Sequence, residues 1–322
     1  MTNENRQTQR APETDRSGRR EFLRAVGASP AVAAAGLATG ASAAEPSAAR
    51  LPQIQLGPHR VSRLVCGANP FNGGSHLSTF VNRQMKAYYT PEQILKTLKR
   101  CQEVGINCWQ SSGANLELYR RFREEGGQMH YLSLDAQRKD GSNLQQLADA
   151  GAIGCAHHGE VTDRLFKDGR IDEVRDFLKK IRDHGLLVGV STHMPDVVDT
   201  IESKDWDLDF YMTCVYERHR SAEALEALLG QAPIPVGEVY LPKDPPRMFK
   251  AIQATKRPCL AFKILAAGRL SDRRHWVEQA FRDTYASIKP TDSVIIGIYD
   301  QYDDQPADCA EMCRKYSGAG GA

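Results

Sequence analysis

Three imidazoles (His157, His158, His193), three carboxylates (Asp135, Glu217, Asp300) and one amine (Lys263) stand where short apolar runs of this chain end. The amides of Asn69, Asn72 and Gln110 occupy equivalent places. These types suit general acid–base work, in which His and Lys move protons and carboxylates orient or accept them. Lys263 is flanked by Phe262 and Ile264, and an amine inside an apolar run needs a partner or a task. His157 and His158 are adjacent, so in an extended segment they point to opposite faces and at most one reaches a shared site. A strand-end histidine also fits a purely structural role, and Glu217 and Asp300 also read as solvated loop charges.

The elements that must position these groups alternate in type. Apolar strand-like runs occur at Leu64–Gly67, Ile106–Gln110, His130–Leu134, Ala152–His157, Leu187–Ser191, Phe210–Val215, Leu260–Leu265 and Ser293–Ile298. Several are apolar throughout, as parallel strands buried on both faces are. Amphipathic helices lie between them. Thr90-Pro91-Glu92-Gln93 supplies an N-cap, a first-turn proline and a capping-box glutamine, and Gly105 a stop. A second helix starts at Asp172 and Glu173, carries Lys179, Lys180 and Arg182 in its last turn, and stops at Gly185, in keeping with the helix dipole. Eightfold alternation predicts an α/β (β/α)8 TIM barrel, with chemistry at the C-terminal strand ends. A doubly wound sheet is the runner-up, but no G-x-G-x-x-G follows an early strand. Two long insertions, Gly73–Tyr89 and Gly230–Arg247, follow strands and so fall on the catalytic face, where such loops serve as lids.

The N-terminal segment reads as an address. Arg19-Arg20-Glu21-Phe22-Leu23-Arg24 precedes a weakly apolar Ala/Gly run and an A-x-A site at Ala41-Ser42-Ala43. That order is expected of a twin-arginine export signal, engaged by export machinery and delivering a folded chain to the periplasm or outside the cell. Organisation then follows as signal 1–44, linker 45–52, barrel 53–316 and flexible tail 317–322. The net charge of +2 matches the excess of six arginines over four acids in the leader. The remainder is balanced, with no basic groove for nucleic acid. The eight cysteines include no C-x-x-C, and most sit in apolar runs as small buried hydrophobes.

Spread through about residues 51–316, several segments resemble the aldo/keto reductase superfamily. They are Leu56-Gly57 with Val61-Ser62-Arg63-Leu64, Gly105-Ile106-Asn107, Gly189-Val190-Ser191-Thr192-His193, the turn Lys263-Ile264-Leu265-Ala266-Ala267-Gly268-Arg269-Leu270, and Val294-Ile295-Ile296-Gly297. The resemblance implies the barrel and an NADP or NAD cofactor across its mouth. Ser191 and Thr192 match the positions that hold the carboxamide, and Phe262 the ring under the nicotinamide. Gly268 and Gly297 match turns beside the phosphates. The family's Asp-Tyr-Lys-His tetrad is mostly replaced: Gln110, Asn115 and Asp135 stand at its first three positions, and His158 best matches the histidine. The segment 298–304 is acidic where a 2′-phosphate needs a cation.

Two enzyme classes follow. One is an oxidoreductase using NAD(P)H on a carbonyl or carbohydrate-like small molecule, with His158 or Lys263 as proton donor and Gln110 and Asp135 at the site. The other is a non-redox lyase, isomerase or hydrolase. There Asp135, His158, His193 and Glu238 would hold a divalent zinc or manganese, with Lys263 as acid/base. A non-catalytic ligand-binding barrel is the third possibility.

Overall fold

The computed structural model describes residues 50–135, 143–218, 220–234 and 238–318. The leader, most of the linker, residues 319–322 and part of the second insertion lie outside these. The described residues belong to one compact unit.

A hairpin of β1 (Gln53–Leu56) and β2 (His59–Ser62) leads into β3 (Leu64–Gly67). The strands β4 (Cys108–Ser111), β5 (His130–Leu134), β6 (Gly154–His157), β7 (Leu187–Thr192), β8 (Phe210–Cys214), β9 (Cys259–Phe262) and β10 (Ser293–Gly297) follow. All pair in parallel, and β10 closes on β3 to give a complete barrel. This is the (β/α)8 fold that the alternation predicts. Helices cover it: α1 (Thr79–Tyr88), α2 (Pro91–Glu103), α3 (Leu116–Glu124), α4 (Leu144–Asp149), α5 (Gly159–Lys167), α6 (Asp172–Asp183), α7 (Pro195–Ser203), α8 (Ala222–Leu229), α9 (Asp244–Ala254), α10 (Arg274–Ser287) and α11 (Gln305–Ser317). Among the described residues no helix is long and apolar enough to cross a membrane.

Local rules explain the boundaries. Thr90 caps α2 by accepting from the Gln93 amide, and Pro91 opens it. The Gln93 side chain turns to Tyr88 Oη (2.9 Å). Ser317 belongs to the last helix rather than to a loose tail: it is buried, and its carbonyl accepts from Arg63 at 2.5 Å.

Strand parity decides which side chains can reach the site. Val65, Cys108, Leu132, Ala156, Phe210, Met212, Leu260 and Ile295 form the barrel interior, with Ile54, Leu56 and Val61 of the hairpin packed against them. Their strand neighbours Trp109, Cys155, Val190, Tyr211 and Ala261 join the larger cluster under the helices. All eight cysteines are free and buried, and burial pushes the Cys108 and Cys155 thiols up.

Gly189 is fixed by packing. A Cβ there would lie 2.4 Å from the Phe210 ring and 2.9 Å from Ala156 Cβ. Gly189→Ala is therefore expected to cost about 1–3 kcal/mol by overpacking, read as a lower urea midpoint at unchanged slope.

Candidate active site at the barrel mouth

Lys263 lies one residue past β9, in left-handed backbone (φ 61°), rather than inside a longer strand. Its Nζ is 3.1 Å from His76 Nε2 and 5.4 Å from the centre of the Phe262 ring. His76 comes from the first insertion and is also left-handed (φ 57°). Its Nδ1 lies 2.9 Å from Glu238 Oε1, contributed by the second insertion. A carboxylate only accepts, so Nδ1 carries the proton and Nε2 is left to accept from Lys263 and from the Asn69 amide at 3.2 Å. Glu238 also accepts from Tyr240 Oη and pairs with Arg218. Arg218 reaches on to Glu160 (3.0 Å) and to His193 Nε2 (3.3 Å). His193 Nδ1 is 2.7 Å from Asp163, whose carboxylate also accepts from the His193 backbone amide and from Thr192 Oγ1 at 2.5 Å. One chain of polar contacts thus runs across the mouth, from Lys263 through His76, Glu238, Arg218 and His193 to Asp163.

The electrostatics follow from burial within this chain. Burial pushes the Lys263 amine below its ordinary value, with the Arg218 charge adding to the effect and Cys214, Glu238 and Glu160 opposing it. Burial would raise Glu238, but the bonds from His76 and Tyr240 and the Arg218 charge outweigh it and bring the carboxyl down to about 2. Burial likewise lowers His158, which feels Glu160, Asp135, Arg218 and Lys263. Asp135, His158 and Lys263 therefore share one electrostatic neighbourhood. The buried His158 Nδ1 has no hydrogen-bond partner.

The other expected residues divide by parity. Gln110 and Ser191 have the interior parity, and the Gln110 amide donates to the Ser111 carbonyl (2.9 Å). Phe262 is half-buried, with its edge on His193 (5.6 Å between ring centres). Asp135 accepts from Asn143. Thr192 has the outward parity, and its hydroxyl contacts Asp163 of α5 and the Met194 backbone. His157 also faces outward, to Thr162 (2.7 Å) and Phe177, and His158 follows it as the residue before α5.

The two glycines of the nicotinamide set are closely packed. A Cβ at Gly297 would sit 3.0 Å from Pro70, so a side chain rather than open space lies over that turn. Gly268 (φ 89°) turns against Leu77. Asp300 is tied to Tyr89 (2.9 Å) and Thr97 (2.8 Å), and Asp304 to Arg100. In the four-residue metal set, Asp135 bonds Asn143, His193 bonds Asp163 and Glu238 bonds His76. The Arg218 guanidinium lies between His193 and Glu238, placing a cation where the metal was expected. Among the described residues no group of three or more His, Cys, Asp or Glu is arranged to hold a metal ion.

Three residues of this site were not singled out from sequence. His76 lay inside an insertion read only as a lid, and its signal was a histidine in the polar run Gly73-Gly74-Ser75-His76. Arg218 follows Glu217 directly after β8. Asp163 sits on α5, four residues after Gly159, and nothing in its spacing marks it.

The His157 environment gives a pH prediction. Burial, helped by the His158 charge, pushes His157 down from 6.5 to about 3. The unfolded chain therefore binds more protons between these values. The stability is present above pH 6.5 and is lost as pH falls toward 3, by about 1.4 kcal/mol per unit. Urea unfolding at pH 7 and pH 5 should show a loss in wild type that is absent in His157→Gln.

No family model matches the chain, and no curated protein sequence matches it. Solved structures are similar in fold. The glycerol dehydrogenase from Gluconobacter oxydans is 12% identical, with 82% of this chain and 96% of that chain covered at a TM-score of 0.46. A truncated 3-deoxy-D-arabino-heptulosonate 7-phosphate synthase from Thermotoga maritima is 12% identical over 84% and 92% (TM-score 0.44). An N-acetylneuraminic acid synthetase from Leptospira borgpetersenii is 11% identical over 84% and 90% (TM-score 0.45). The chain is a (β/α)8 barrel with a line of polar side-chain contacts across its mouth.

Proposed function

We propose that this chain is an enzyme that moves protons on a small hydroxylated, sugar-like carbonyl compound, as a lyase or isomerase that needs neither metal nor nicotinamide. The observation that carries this reading is the contact between Lys263 and His76. Both are non-glycine residues held in left-handed backbone, each at a cost of about 1–3 kcal/mol. Strain of that size persists where surrounding structure over-determines it, and here it aims an amine at an imidazole acceptor. The amine is depressed by burial, so it loses its proton more readily than a surface lysine. The carbon next to a carbonyl is the site it would deprotonate. His76 Nε2 relays the proton, and Glu238 stabilises the imidazolium formed. His158, kept neutral by burial, is placed to serve the substrate oxygen. The two insertions supply His76 and Glu238, so closing the lid and completing the relay are one event.

The test is conversion of a panel of hydroxyaldehydes, hydroxyketones and sugar acids without added nucleotide and with a chelator present. Turnover under both conditions is the expected result; a requirement for added nucleotide, or loss of turnover to the chelator, overturns the reading.

A second reading, an NAD(P)H-dependent carbonyl reductase, keeps Phe262 and Ser191 at the mouth. Saturable binding of NADPH, with transfer of its hydride to a carbonyl, would favour it. Residues 1–44 are read as a twin-arginine leader. Eight buried free thiols suit a chain that completes folding in a reducing compartment before export. Fusing those residues to a folded reporter, with Arg19-Arg20 changed to Lys-Lys as control, tests this.

A further inference from the structure

We propose that Lys263 acts as a nucleophile, joining the carbonyl carbon of its substrate as a Schiff base, while His76 and Glu238 handle the proton its amine must shed. This rests on the proton-transfer reading of the mouth and narrows its substrate class to an aldehyde or ketone that can reach Nζ.

The geometry separates this role from that of a simple base. A nucleophilic amine needs something else: an uncharged form, and a neighbour that takes its proton and later returns one to the carbonyl oxygen. His76 Nε2, 3.1 Å from Nζ, is that neighbour, and its tautomer is locked by Glu238 on the opposite ring nitrogen. The hydrogen-bond partner of Nζ is the His76 imidazole, not a carboxylate. The charged and titratable groups facing the amine are His76, Cys214, Arg218, Glu160, Glu238 and His158. Burial and Arg218 both favour its neutral form, which supports the assignment.

The step balances. The Lys263 ammonium gives one proton to His76 Nε2. The free amine attacks the carbonyl carbon, forming the C–N bond, and the carbonyl π pair moves to oxygen, which takes the proton back from His76. The adduct nitrogen then gives up a second proton to His76 Nε2, which passes it to the hydroxyl; the hydroxyl leaves as water and the freed nitrogen lone pair forms the iminium, so the single positive charge is conserved. That cation accepts the electron pair released when the neighbouring C–H or C–C bond breaks, and water then regenerates amine and carbonyl. No oxidant, reductant or metal enters.

The probe is 2,4-pentanedione, a small β-diketone that forms a stable enaminone with neutral amines. It is added to the full chain at neutral pH, and the labelled position is read by peptide mass. Lys263 is expected to label first, about tenfold faster for each pKa unit by which its amine is depressed than the exposed Lys96 and Lys99. Labelling should vanish in Lys263→Met and slow in both His76→Ala and Glu238→Gln, with folding checked by circular dichroism. Borohydride added with dihydroxyacetone should fix a reduced adduct at the same residue. Labelling of Lys263 no faster than of the surface lysines overturns the proposal, and so does full-speed labelling in both relay variants. If wild type fails to label but still exchanges substrate protons through Lys263, the nucleophile is wrong and the base reading stands. If Lys263→Met retains that exchange, the reading of the site itself fails.

Discussion

Lys263→Met is expected to lower turnover by about 100- to 10,000-fold, the range carried by a positioned proton-transfer group, while the barrel stays folded. Methionine keeps the length of the side chain and its packing on Phe262 but cannot ionise. It also removes a buried charge whose desolvation lowers the amine, so stability should hold or rise. The left-handed backbone supplies a separate control. Lys263→Gly relieves the strain of φ 61° and is expected to be more stable still, yet equally inactive. Steady-state rates with urea midpoints on the same preparations separate the two effects. Activity surviving in both variants would remove Lys263 from the chemistry.

Asp163→Ala is expected to be the most damaging substitution for stability, at about 3–5 kcal/mol. The carboxylate is buried and accepts from the Thr192 hydroxyl, the His193 backbone amide and the His193 ring, so alanine strands three donors inside the wall between α5 and β7. The damage reaches function as well. His193 would lose its orienting bond, and Arg218, which contacts His193 Nε2, would lose a fixed neighbour. Asp163→Asn, which keeps the shape and part of the acceptor capacity, should fall between the two. Chemical unfolding of the three proteins measures this, and equal midpoints would contradict it.

The architecture was legible because its signals are local. Apolar runs separated by capped amphipathic helices name a (β/α)8 barrel, and each of the eight runs overlaps a barrel strand of the structure. Strand parity could also be read, as the opposite facing of His157 and His158 shows. The same alternation in β7 turns Val188, Val190 and Thr192 outward. Lys263 was placed within a strand because Leu260–Leu265 is apolar almost throughout. Nothing in residue type marks a switch to left-handed backbone after Phe262. The relay was the least legible part. His76 and Glu238 are 162 positions apart, in two insertions whose meeting depends on tertiary packing. Arg218 reads as one of several loop charges until its partners are seen. Asp135, His158, His193 and Glu238 reach the mouth region, and Arg218 stands between two of them, a contact that their sequence positions do not show.

Solvent-proton exchange tests the central claim most directly. Small hydroxyaldehydes, hydroxyketones and keto acids are incubated with the protein in deuterium oxide, without nucleotide or metal, and proton NMR follows the carbon beside the carbonyl. The account predicts that deuterium enters that position for at least one compound, and that Lys263→Met abolishes it. No exchange with any of them, together with saturable NADPH binding and hydride transfer to the carbonyl, would show that the mouth performs redox chemistry and would contradict the account.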